Sequence, residues 1–173
     1  YSAVGVAELC EAVGLGRGAL YHHISSKEDL LYDISSRYIQ HLIDEGRQIV
    51  AHEPDPVARI QILSRAMIRV VFEHHAEMTV CFREIHSLSG QRHRDVNQLH
   101  QNYQQLWEDA IATGVAQGVF RPVNKVAVKA MMGMFFYSFL WLKSGGPLSA
   151  DEVGDTFSDL IIHSLTSGQF IPA

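Results

Sequence analysis

The sequence predicts an all-α fold, a small N-terminal helix-turn-helix unit followed by a larger helical bundle, on three observations. Apolar residues recur at three- and four-residue spacing, strand-like alternation is nearly absent, and Gly, Pro and Ser cut the chain into helix-length pieces. With 173 residues, 47% of them hydrophobic, the chain can bury a sizeable core.

The elements read as follows. A short helix over residues 6–13 stops at Gly14, and a second over 17–23 follows the break Gly14-Leu15-Gly16. Two short helices joined by a glycine turn form a helix-turn-helix candidate. Ser25 and Glu28 have the spacing of a capping box and open a long helix to residue 51, with Leu30, Leu31, Ile34, Tyr38 and Leu42 on one face. Pro54 and Pro56 end it, and Asp55 caps the next helix, whose stripe is Ile60, Leu63, Met67, Val70 and Val71. A helix over 77–88 presents Met78, Cys81, Phe82 and Ile85 until Ser89-Gly90 breaks the pattern. Another over 92–117 carries Val96, Leu99, Tyr103, Leu106, Trp107 and Ala110, with Gly118 as its C-terminal stop. The helix over 125–143 is apolar nearly all round, so neighbours must cover more than one of its faces. After Gly145-Gly146-Pro147, Ser149 and Glu152 form a second capping box for a final helix with Val153, Phe157, Leu160, Ile161 and Leu165. The domains expected are residues 1–46, which hold the helix-turn-helix unit, and 47–173, the larger helical bundle.

Composition excludes several classes. The longest apolar stretch, 126–142, is shorter than a spanning helix needs and contains Lys129, so no membrane partner is expected. Nothing reads as a secretion signal, which makes a cytoplasmic location the expectation. Cys10 and Cys81 lie far apart within helical patterns and read as free buried thiols. No phosphate loop, nucleophile elbow or zinc-binding helix is present, so an enzyme is not expected. His93 and His100 share a helical face, but no carboxylate or cysteine completes a metal set; neither metal nor cofactor is expected.

The segment from Gly14 to Ile24, with Ser26-Lys27-Glu28-Asp29-Leu30-Leu31 after it, resembles the recognition helix and following turn of TetR-family transcriptional repressors. The match at Gly14, Gly18, Leu20, Tyr21, His23, Ser26, Lys27, Glu28 and Leu30 is dense and in register. The chemistry fits a groove-reading helix. Gly18 allows close approach to the backbone, Arg17 can read a guanine edge, Tyr21 and His22 lie on turns that can face the groove, and Lys27 can hold a phosphate. The DNA-binding candidates are therefore Arg17, Gly18, Tyr21, His22 and Lys27, and the partner implied is a double-stranded palindromic operator bound by a homodimer. Two features depart from the pattern: Gly5 and Gly16 stand where the family usually has Ser or Thr, and residues 1–30 carry a net charge of -2. The resemblance implies a further helix, often with a basic arm, ahead of Tyr1.

Two later segments, Gly118-Val119-Phe120-Arg121-Pro122 and Trp141 to Leu148, are similar to those of TetR-family repressors that control fatty-acid and sterol degradation and sense acyl-CoA thioesters. This chain has Leu140 where that subgroup often has Arg near the tryptophan. Met67, Val71, Phe82, Leu99, Tyr103, Trp107, Met131, Met134, Phe135, Ser138 and Trp141 suit an adaptable cavity for a small apolar effector, and Arg121 and Lys143 are candidates for CoA phosphates. The alternatives are a multidrug-type sensor and a helical ligand-binding bundle without DNA binding.

Overall fold

In the computed structural model, residues 26–142 and 146–167 are described. They form six α-helices: α1 (Lys27–His52), α2 (Pro56–Glu73), α3 (His75–Glu84), α4 (Gly90–Ala116), α5 (Lys125–Tyr137) and α6 (Ala150–Thr166). Short 3₁₀ turns at Ile85–Ser87 and Ser138–Leu140 follow α3 and α5. The two short helices expected before Ser25, with Arg17, Gly18, Tyr21 and His22, lie outside the described residues. Among the described residues no helix is long and apolar enough to cross a membrane.

Local chemistry sets most boundaries where the sequence puts them. Asp55 caps α2, its Oδ1 accepting from the Val57 amide at 3.0 Å, with Pro56 in the first turn. Ser149 and Glu152 close the expected capping box on α6, and Gly118 turns the chain with a φ of +73°. Three ends differ from expectation. The cap of α1 is Ser26, not Ser25, because its Oγ accepts from the Asp29 amide at 3.1 Å while Glu28 is drawn away to Ser89. Helix α4 begins at Gly90 instead of after it, with Ser89 as N-cap. Helix α5 tightens into its 3₁₀ turn at Ser138, whose hydroxyl donates to the Phe135 carbonyl at 2.6 Å.

The core lies where α1, α2, α4 and α5 meet, around the fully buried Ile39, Leu42, Leu63, Met67, Val71, Trp107 and Phe135. Helix α1 packs chiefly on α4, and α2 chiefly on α6. Gly154 makes the second pairing close, since a Cβ there would stand 2.8 Å from the Arg65 Cα. Arg65–Asp155 and Arg69–Asp151 ion pairs flank that contact. The boundary expected at residue 46 falls inside the continuous helix α1.

One face is left uncovered. Val126 on α5 is 72% exposed, Tyr137 66% and Leu160 on α6 56%, with Trp141, Leu140 and Leu148 also exposed. Val126, Tyr137 and Leu160 thus leave large apolar surface on α5 and α6 open to solvent. Ile161, expected with Leu160 on the apolar side of the final helix, faces its own subunit's core at 1% exposure while Leu160 does not.

Candidate functional site

The apolar candidates separate into two groups. Trp107 and Phe135 meet in a tilted contact at 5.4 Å, and Phe157 joins Phe135 to the half-exposed Trp141. Met67, Val71, Tyr103 and Met131 are buried in the same cluster, with Leu99 and Met134 partly buried against it. This group is densely packed, and its polar atoms have limited freedom. The Ser138 hydroxyl is engaged by Phe135, and burial pushes the Tyr103 phenol well up against the opposing effect of the Trp107 indole, which is buried beside it.

Phe82 belongs to the second group. Its ring stacks on Phe139 at 5.2 Å and meets Phe136 at 5.3 Å and Tyr38 at 6.2 Å. At the centre the Tyr38 hydroxyl and His100 Nε2 share a hydrogen bond of 2.9 Å, and the His100 ring stands edge-on to Phe136. The sequence pattern does not single out His100 as a ligand residue, and it shows Tyr38 only as part of a helical stripe. His93 bonds Asn97 instead, so the two histidines of that face have separate partners. His75 Nε2 bonds the Phe139 carbonyl at 2.8 Å, tying the 3₁₀ turn after α5 to the start of α3.

Burial holds the His100 imidazole neutral, lowering its pKa from 6.5 to about 4. An unfolded chain takes up this proton near pH 6.5 while the folded one does not until near pH 4, so the group's stabilisation is complete above pH 6.5 and is lost as pH falls between the two values. We expect His100 to account for about 2 kcal/mol of lost stability on going from pH 7.5 to pH 5. Urea unfolding at both pH values checks this: His100→Gln should lose less stability on acidification by that amount, and an equal loss in both proteins would contradict it.

Two grooves of about 330 Å³ flank the Tyr38–His100 pair. One, between α1, α2 and α3, has Ile34, Tyr38 and Val70 in its wall and Asp33, Arg37, His41, His74 and Glu77 around it. The other, between α4 and α5, is lined by His100, Met132, Phe136, Gly133, Lys129 and the amides Asn97, Gln101 and Gln104.

A separate cluster joins α1 to α4. Glu28 Oε1 accepts from the Ser89 amide and hydroxyl, both at 2.8 Å, and Arg92 pairs with Glu28 at 3.4 Å and with Asp29. The Ser89 bonds hold the Glu28 carboxyl below the usual carboxylate range. Lys27, the one DNA candidate among the described residues, is the first residue of this same helix. The Arg121 Nε donates to the Ser164 carbonyl at 2.7 Å and its amide to the Leu165 carbonyl, closing the end of α6.

Two family profiles match this chain: bacterial regulatory proteins of the tetR family over residues 1–34, and the tetracyclin repressor-like C-terminal domain over 53–165. The chain belongs to the TetR family. As a TetR-family regulator it is similar to the transcriptional repressor KstR2 of Mycobacterium tuberculosis, 27% identical over 95% of this chain and 84% of the relative. Among solved structures, the TetR-family regulator PfmR of Thermus thermophilus superposes with a TM-score of 0.83 at 31% identity, covering 94% of this chain and 90% of that one. AibR, solved with isovaleryl coenzyme A and operator DNA, has a TM-score of 0.73 at 24% identity over 96% of this chain and 89% of its own. The TetR-family fold, with its DNA-binding profile at the N-terminal end, is the one expected from residues 14–31.

Proposed function

We propose that this TetR-family regulator works as a homodimeric repressor released from a palindromic operator by a bulky apolar acid, delivered as its CoA thioester. The observation that carries this reading is the similarity to KstR2 over nearly the whole chain, effector half included; the solved KstR2 is described as a ketosteroid regulator. The AibR fold adds support, since that protein was solved with a short acyl-CoA and operator DNA together. Arg17, Gly18, Tyr21, His22 and Lys27 would make the DNA contacts, with Arg17 reading a base and Lys27 a phosphate. The exposed apolar surface of α5 and α6 would pair with its copy into a four-helix seam, the isologous arrangement that matches a two-fold operator.

The Glu28–Ser89–Arg92 cluster supplies the link that release requires. Helix α1 carries Lys27 at one end and enters the core at the other, while α4 carries Tyr103 and Trp107. A ligand that shifts α4 would drag the start of α1 through these bonds and re-aim the segment ahead of it. A panel of ring-bearing and fatty acyl-CoA thioesters, with free CoA and free acids as controls, should therefore release operator DNA. Coupling of about 1–3 kcal/mol gives roughly 5- to 150-fold release, and DNA must weaken the ligand by the same factor. Arg92→Ala should bind operator and ligand but lose most of that coupling. Release by an uncharged drug-like compound and by no thioester would replace this reading with a multidrug-type sensor.

A further inference from the structure

We infer that the two grooves on either side of Tyr38 and His100 are halves of one ligand channel, closed at its middle by that hydrogen-bonded pair, and that its ligand is an elongated apolar anion with a hydrogen-bonding atom near its centre. This deepens the effector reading above and rests on it for its biological meaning. Tyr38 lines the groove of α1, α2 and α3, and His100 lines the groove of α4 and α5. Their side chains touch at 2.9 Å. The partition is thus made of side chains, joined by a single bond between two neutral groups and backed by Phe82 and Phe136. Each groove, at about 330 Å³, is near the lower limit for a small-molecule site; joined, they reach the ordinary range.

Charge gives the channel a direction. Around the first groove Arg37 is paired with Asp33, and the carboxylates Glu77 and Glu45 stand beside His74 and His41, so no cation there is left without a carboxylate. The second groove is lined by no carboxylate, and Lys129 at its edge makes no ion pair among those described. The anionic end would sit at Lys129, the apolar end over Ile34 and Val70, and the central polar atom would take up the bond that Tyr38 and His100 give to each other. A net hydrogen bond is worth little in water, so opening the partition is inexpensive once the ligand replaces the bond.

The test uses dansyl-undecanoate, a fluorescent carboxylate with a sulfonamide within its length, titrated onto the full protein without DNA. We expect saturable binding of one probe per subunit. Removing the closing bond while keeping the ring, Tyr38→Phe, should tighten apparent binding about fivefold, and His100→Gln should act in the same direction. Reversing the charge with Lys129→Glu should weaken it about tenfold. Plugging the far mouth with His74→Trp, a change on the rim outside the core, should weaken it as well. If Lys129→Glu weakens binding while Tyr38→Phe and His74→Trp leave it unchanged, the probe occupies one groove alone and the channel is refuted. Insensitivity to all four substitutions refutes it too. Operator binding of the same proteins, measured separately, decides the repressor reading without touching this one.

Discussion

Leu160→Glu is expected to separate the proposed homodimer into folded monomers and with it abolish tight operator binding. Leu160 lies 56% exposed on α6, beside an α5 surface that presents Val126 and Tyr137. In a two-fold seam the substitution places a carboxylate in both copies at once. An unpaired charge buried at an interface costs about 3–5 kcal/mol, which lowers the association constant by more than a hundredfold. Operator affinity follows, because two half-sites held together bind far more tightly than two free ones. Leu160 is not part of the subunit's buried core, so thermal unfolding of the monomer should move little. Light scattering and operator titration of the variant read the two expectations. Ile161→Glu makes the contrast: one residue on, at 1% exposure, it should unfold the subunit itself. A Leu160→Glu protein that stays dimeric would assign the seam to another surface.

Gly114→Ala should be the most damaging single methyl group in the domain. A Cβ on Gly114 would enter the Phe120 ring, which is buried. The backbone cannot yield easily, because the Val119 and Phe120 amides both donate to the Gly114 carbonyl, at 2.9 and 3.1 Å. Overpacking of this kind costs about 3 kcal/mol, equivalent to roughly 6–12 °C in Tm for a chain of this size. The loss would spread to α6, since the residue after Phe120 is the arginine that holds the Ser164 and Leu165 carbonyls. Calorimetry should show both the lowered Tm and a weaker dimer; a Tm within a degree of the parent would contradict this account of the turn.

The parts of the molecule that short-range chemistry decides were legible before the structure. Asp55-Pro56, Gly118 and the Ser149–Glu152 box mark helix ends because each satisfies backbone groups within four residues. The errors arise where a distant partner competes. Glu28 has the spacing of a capping residue, but Ser89 and Arg92, sixty-one and sixty-four residues on, take its carboxylate, and the cap moves to Ser26. In the run Leu160-Ile161-Ile162, periodicity cannot say which apolar residue faces inward and which a partner; only packing against α2 separates Ile161 from Leu160. The candidate site shows the same limit. The aromatic and methionine residues were identifiable as a class, and most of them are buried together. The Tyr38–His100 bond, across 62 residues of sequence, leaves no local signature.

The central claim, that this TetR-family chain reads a specific operator, is tested most directly by fluorescence anisotropy on the full-length protein with the duplex upstream of its own gene. A scrambled duplex of the same composition serves as competitor, at moderate and at raised salt. The native duplex should be preferred by at least about a thousandfold, with affinity falling steeply as salt rises. Arg17→Ala should remove about 1–3 kcal/mol of that preference. Equal affinity for native and scrambled duplexes, unchanged by Arg17→Ala, would contradict that claim.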